Sequence, residues 1–292
     1  MFKPSRRIDG AHRDAIWSIC WSHNAIFSGS LDGSTKLWKD DLSFVSSTKN
    51  EKVGVTSIIC LHDHHLAATC SQDSIIRFYS SLDLSEQYII DPGFLEAWTI
   101  SASPTEDLVA TGGIKGHINI WSRESSTKVK SIDTGGDFIL SSVFSPDGNR
   151  ILSSSVKGEV QLNDIETGSR LLSLDAHSLP VRQVKFSKDG GLIYTVSDDR
   201  HACIFDALSG TMINSFSHSG MSLCIDTSPS LRHFVVGSSD HTVTIWDLGM
   251  QRQLHVFNDQ HSDQVWTVCF DETGKRIVSG GDDALIQMYE SS

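Results

Sequence analysis

The eleven residues Ser28-Gly-Ser-Leu-Asp32-Gly-Ser-Thr-Lys-Leu-Trp38 recur in variant form along the chain, and their spacing constrains its folding more than any other feature. The same frame reads Thr69-Cys-Ser-Gln-Asp73…Tyr79, Thr195-Val-Ser-Asp-Asp199…Phe205, Val236-Gly-Ser-Ser-Asp240…Trp246 and Ser279-Gly-Gly-Asp-Asp283…Tyr289. In each, an Asp follows a small or β-branched residue by four places and precedes an aromatic by six. Two degraded copies, Thr111-Gly-Gly-Ile-Lys115…Trp121 and Ser153-Ser-Ser-Val-Lys157…Asn163, fill the gap. The last position of the frame falls at 38, 79, 121, 163, 205, 246 and 289, in steps of 41, 42, 42, 42, 41 and 43.

A period near forty residues, sustained seven times, predicts a seven-bladed β-propeller, an all-β fold. Alternating residues before the Asp read as a strand entering a tight turn. Asp with Gly or Ser supplies the turn, and Thr35–Trp38 or Thr242–Trp246 reads as the next strand. Ile8-Asp9-Gly10-Ala11-His12 parallels Leu174-Asp175-Ala176-His177 at the end of a later blade. The N-terminal segment is therefore expected to join the last blade and close the ring, which removes exposed sheet edges. Seven repeats account for nearly all of the 292 residues, so residues 1–292 are expected to form a single domain.

The net charge of −12 disfavours a broad nucleic-acid or anionic-membrane surface. Cys20, Cys60, Cys70, Cys203, Cys224 and Cys269 include no C-x-x-C pair, and several sit at apolar strand positions. They are expected to be buried, reduced thiols of an intracellular protein. No apolar leader opens the sequence and no stretch of eighteen apolar residues occurs, so a cytoplasmic and nuclear location is expected.

His, Ser and Asp recur together, which raises the question of a hydrolase triad. They recur at the same repeat positions, however, whereas a catalytic constellation normally occurs once. The chain has no G-x-S-x-G elbow, P-loop or dinucleotide fingerprint, so no enzymatic activity and no cofactor are expected. His62-Asp63-His64-His65 holds metal-ligand types but falls in a hairpin turn, and a solvated turn is the expectation.

About twenty residues upstream of the Asp, several copies carry a His: His12, His177 and His261, with His218 a fourth candidate. In these features the chain resembles the WD-repeat family. The resemblance implies a hydrogen-bonded tetrad in each intact blade. The tetrads would be His12/Ser28/Asp32/Trp38, His177/Thr195/Asp199/Phe205 (without an indole donor) and His261/Ser279/Asp283/Tyr289. Blade two has no His at the matching place, which Glu51 occupies. Blade six has Val236 for the hydroxyl, and blades three and four have Lys for Asp. Those last two blades are expected to rely on packing.

Aligned first strands place Trp17, Thr56, Trp98, Leu140, Arg182, Leu223 and Trp266 at one repeat position. The resemblance implies that this position faces the top mouth of the channel, as do the turn residues Leu31, Gln72, Ile114, Val156, Asp198, Ser239 and Asp282. Asp14, Glu96 and Asp263 lie beside the tryptophans in sequence. Indoles with neighbouring acids suit a peptide bearing an apolar anchor and an Arg or Lys. The plain alternative is that the rings only plug the channel. Asp14, Trp17, Leu31, Glu96, Trp98, Arg182, Asp263, Trp266 and Asp282 are the candidate partner-binding residues.

Asp14-Ala-Ile-Trp17-Ser, Glu96-Ala-Trp98-Thr, Phe138-Ile-Leu-Ser141, Ser145-Pro-Asp-Gly148 and Asp263-Gln-Val-Trp266 are together similar to the WD-repeat subunits of superkiller (Ski) complexes. That resemblance implies a non-catalytic scaffold joining a tetratricopeptide subunit and a helicase in exosome-mediated mRNA decay. For animal members it also implies a link to the Paf transcription-elongation complex. The partner motif it implies is Gln-Arg followed after two residues by an apolar or aromatic residue. Another adaptor, such as a ubiquitin-ligase substrate receptor, or an enzyme or small-ligand binder using the channel, are the other readings.

Overall fold

The structure, a computed structural model, describes residues 2–22, 25–48, 53–61, 66–135 and 137–291. Glu51 and the turn His62-Asp63-His64-His65 lie outside the described residues. Within the described residues there is no helix, and 28 strands form seven four-stranded sheets. The chain is all-β, and the sheets are the blades of a seven-bladed β-propeller. The first blade runs Ile16–Ser22, Ala25–Ser30, Thr35–Lys39 and Phe44–Ser47 in spatial order. Its second strand is buried from Ile26 through Ser30, whereas Phe44, Val45 and Ser47 of its fourth strand are exposed. A second strand covered on both faces has no solvent side on which to place charges, which accounts for runs such as Ala-Ile-Phe-Ser-Gly-Ser.

Two compact units divide the chain, one of Met1–Gln72, Arg77–Tyr88 and Leu223–Ser292, the other of Asp73–Ile76 and Ile89–Ser222. The first unit carries blades one and seven with most of blades two and six, and the second carries blades three to five. In the first, the N-terminal strand Phe2–Ile8 completes the last sheet by pairing antiparallel with Ile286–Ser291, from Phe2 opposite Ser291 to Ile8 opposite Ile286. Phe2 is buried there and meets Phe270 edge-on, with ring centroids 6.3 Å apart.

The small residue after the frame's first position has a packing cause beyond turn chemistry. A Cβ on Gly29 would lie 2.6 Å from Val55 Cγ1 of the next blade's first strand. In the second unit, a Cβ on Gly112 would lie 2.5 Å from Ile139 Cγ2. Glycine at these places lets one blade's second strand lie directly against its neighbour's first strand. At the same repeat position in blade four, Ser154 uses its side chain, donating from Oγ to the Val181 carbonyl at 3.0 Å. Side-chain hydroxyls also stitch first strands of adjacent blades. The Ile19 amide donates to Thr267 Oγ1 at 2.9 Å and the Ile58 amide to Ser18 Oγ at 3.0 Å.

One expectation is corrected. Cys20 and Cys60 are joined as a disulfide between the first strands of blades one and two, with Cα atoms 6.2 Å apart. Cys70, Cys203 and Cys224 are buried thiols, and Cys269 is a partly buried one.

Candidate partner-binding site

The hydrogen-bonded frame beneath the site is most complete in blade one. His12 Nε2 lies 2.7 Å from Ser28 Oγ, His12 Nδ1 lies 3.1 Å from Asp32 Oδ2, and Trp38 Nε1 donates to Ser28 Oγ at 2.9 Å. Ser34, which the tetrad pattern omits, adds its amide and hydroxyl to Asp32 Oδ1 at 2.8 and 2.6 Å. Burial pushes the Asp32 carboxyl up, but hydrogen bonds from His12, the Arg13 amide and Ser34 outweigh it and hold it well below the usual range. Burial likewise lowers His12 and favours the neutral ring, although Asp32 opposes it. Blade five repeats the arrangement, with His177 2.8 Å from Asp199 and 2.7 Å from Thr195, and burial lowers His177 as well. Phe205 leaves that network without an indole donor. In blade seven, His261 lies 3.0 Å from Asp283 Oδ2 and 2.7 Å from Ser279, whose Oγ is 3.3 Å from the Tyr289 hydroxyl.

Blades three and four do not rely on packing alone. Where the frame has Lys in place of Asp, the lysine reaches an acid in the loop before the first strand. Lys115 Nζ lies 2.5 Å from Glu96 Oε1, and Lys157 Nζ lies 2.7 Å from Asp137 Oδ1. Asn119 also donates to Glu96, at 2.9 Å, and Trp121 Nε1 still donates to Thr111 Oγ1 at 3.0 Å. Burial raises the Glu96 carboxyl, but bonds from Lys115 and Asn119 prevail and lower it. The lone Lys at the Asp position is the sequence signal for this swap, because a cation at that turn pairs with an acid in the loop opposite.

A backbone hydrogen bond fixes the geometry of the candidate positions on the turns. The residue before the tetrad Asp, or before the Lys that replaces it, donates its amide to the loop before its own blade's first strand: Leu31 to Ala15, Ile114 to Leu95, Val156 to Phe138, Asp198 to Pro180 and Asp282 to Gln264, at 2.9–3.0 Å. Side chains from the two candidate rows therefore meet. In the second unit, Arg182 makes two bonds to Asp198, at 2.8 and 2.7 Å. Trp98 meets Phe138 edge-on at 5.3 Å. Glu96 and Arg182 of the candidate set thus already hold partners within the chain.

In the first unit the pairing has another character. Trp266 Nε1 donates to Asp282 Oδ1 at 2.7 Å, and its ring lies 5.8 Å from that of Trp17, tilted by 46°. Both indoles are partly exposed. Asp14 and Asp263 are exposed and cap their own loops, each accepting from the next residue's amide at 2.8 Å. Among the described residues no Lys, Arg or His pairs with Asp14, Asp263 or Asp282. Burial, reinforced by the charges of Asp263, Asp14 and Asp283, pushes the Asp282 carboxyl up against the lowering bond from Trp266. Such a cluster lacks a cation. Leu31 lies on the adjoining turn, where a Cβ on Gly54 would fall 2.6 Å from its Cδ2.

Comparisons with known proteins bear on the repeat architecture. The family model described as "WD domain, G-beta repeat" matches residues 2–39, 43–80, 168–206, 210–247 and 251–290. The WD40 domain model of anaphase-promoting complex subunit 4 matches residues 100–180, which include the two blades with Lys for Asp. WD repeat-containing protein SL1-17 of Schistosoma mansoni is 33% identical over 96% of each chain. WD repeat-containing protein VIP3 of Arabidopsis thaliana is 28% identical over 50% of this chain and 52% of its own. Protein sof1 of Schizosaccharomyces pombe is 22% identical over 90% of this chain and 51% of its own. Seven frames, the hydrogen-bonded networks of blades one, five and seven, and these matches lead to one conclusion: the chain belongs to the WD-repeat family.

Proposed function

We propose that this chain is a non-catalytic scaffold that holds a partner protein by a short peptide with an apolar anchor and an Arg or Lys. The observation that carries this reading is the tilted Trp17–Trp266 pair flanked by Asp14, Asp263 and Asp282, which no cation of the described residues neutralises. The anchor packs on the two indoles, while the cation takes the carboxylates. Leu31 extends the apolar wall.

The partner we assign is the tetratricopeptide subunit of a superkiller complex, with its helicase. This makes the chain a cytoplasmic support of exosome-mediated mRNA decay, with a nuclear place beside Paf elongation factors. The support for it is the set of segments around Trp17, Trp98, Phe138 and Trp266, together with the agreement between the acid-plus-indole cluster and a Gln-Arg-x-x-apolar motif. Calorimetric titration of such a peptide tests the site, and co-purification with mass spectrometry tests the assembly. Recovery of ubiquitin-ligase subunits alone would replace the assembly without moving the site. Unchanged affinity in folded Trp17→Ala and Trp266→Ala variants would move the site itself.

A further inference from the structure

The register of the repeat brings two particular positions together at seams between neighbouring blades. They stand three places after the Trp17 position in one blade and four places after it in the next. Val143 and Phe186 occupy these places in blades four and five and share one apolar cluster. Cys269 and Trp21 do so in blades seven and one. Between blades six and seven, Asp226 Oδ2 accepts from the Phe270 amide at 2.8 Å. Between blades one and two both places are cysteine, Cys20 and Cys60, with Cα atoms 6.2 Å apart, inside the range a disulfide spans.

Both residues are partly exposed, unlike the buried Cys70, Cys203 and Cys224. A partly exposed pair is open to small thiols and disulfides, whereas the buried thiols are shielded from them. We propose that Cys20 and Cys60 are a reversible dithiol–disulfide site, a covalent latch across the seam between blades one and two that closes and opens with the surrounding thiol redox state.

Closure proceeds by exchange with a low-molecular-weight disulfide such as oxidised glutathione. One cysteine loses its proton, attacks a glutathione sulfur and releases one glutathione thiolate. The second cysteine, deprotonated in turn, attacks the mixed disulfide and releases the other. Two protein thiols become one disulfide and one oxidised glutathione becomes two reduced molecules, so electrons and protons balance. Excess reduced glutathione or dithiothreitol reverses both steps. The closed latch spans 40 positions and ties down Ile16–Ser22, the strand that carries Trp17. It does not depend on what binds Trp17.

The test uses the full chain, reduced and then equilibrated with oxidised glutathione, with free thiols trapped by alkylation. Non-reducing digestion and mass spectrometry should recover the Cys20 and Cys60 peptides linked to each other. The oxidised protein should melt about 5 °C above the reduced one, as expected for a loop of this size in a chain of this length. Cys20→Ser and, independently, Cys60→Ser should lose both the linked peptide and the redox-dependent shift, while Cys269→Ser keeps both. Recovery of Cys20 and Cys60 singly alkylated from folded, oxidant-treated protein would overturn the proposal. So would a linked wild-type protein whose melting temperature does not change on reduction.

Discussion

Lys157 Nζ lies 2.7 Å from Asp137 Oδ1, an ion pair at a place where the repeat elsewhere sets a carboxylate beside a histidine. Lys115 and Glu96 make the same exchange one blade earlier. The two blades with the least recognisable frame thus keep a polar bridge between the turn and the preceding loop, with its polarity reversed. The lysines are about two-thirds exposed, so each bridge contributes modestly. Lys115→Glu should shift the urea midpoint by the equivalent of about 1 kcal/mol, because it sets a second acid against Glu96. Lys115→Glu combined with Glu96→Lys should recover most of the loss. Strict additivity in that double-mutant cycle would show that the two residues are uncoupled.

The blade-one tetrad predicts a larger effect. His12→Ala leaves Ser28 and Asp32 with unmet bonds and should cost about 1–3 kcal/mol in chemical denaturation. Leu208→Ala, at a side chain that is 87% exposed, should cost almost nothing. Equal costs would remove the tetrad from the account of stability.

Acid should weaken the fold in two stages. His12 and His177 have pKa values below the ordinary 6.5, because burial disfavours their charged form. As pH falls through 6.5 the unfolded chain takes up protons that the folded chain refuses, so stability drops until the lower folded values are reached. Asp32 and Asp283 are depressed carboxylates. Their stabilisation is intact above the unfolded value near 3.8 and is lost as pH falls from there through the folded values. Melts between pH 7.5 and 5 should show the first stage, and His12→Ala and His177→Ala should each flatten it. An unchanged slope in both variants would assign the pH dependence elsewhere.

Gly29→Ala should drive a methyl into Val55 and destabilise the protein by about 1–3 kcal/mol. Adding Val55→Ala should relieve part of that clash despite the cavity it opens. A double mutant less stable than the sum of the singles would show that the seam adjusts by another route.

Binding of an Arg-bearing peptide should weaken some thirtyfold in Trp17→Ala or Trp266→Ala, about 2 kcal/mol, with melts close to wild type. Asp282→Asn should weaken it less and reduce its salt dependence. Because the Asp282 carboxyl is pushed up, affinity should also fall as the pH drops into mild acid. Calorimetry across pH and salt reads all three effects.

The architecture was legible because it depends on a repeated period and on turn residues that must recur wherever a turn recurs. Intact tetrads were legible for the same reason. The Lys115–Glu96 and Lys157–Asp137 bridges were half-visible: the lysines stood out, but their partners lie 19 and 20 places upstream at no fixed motif position. Arg182 read as a candidate partner-binding residue because the strand alignment does not reveal that Asp198 holds it. The Cys20–Cys60 contact was hidden by an offset of one place between neighbouring blades, which a comparison of equivalent positions passes over.

Phe2–Ile8 lies beside Ile286–Ser291, so the earliest strand of this sheet to be synthesised pairs with the latest. Until Ile286–Ser291 leaves the ribosome, Phe2–Ile8 has no companion strand to meet. Six blades can therefore assemble during translation, while Phe2–Ile8 waits with its backbone amides unpaired until the last sheet is made. Slowed or prematurely halted synthesis should strand the protein with that edge open, the state in which a quality-control chaperone would find it.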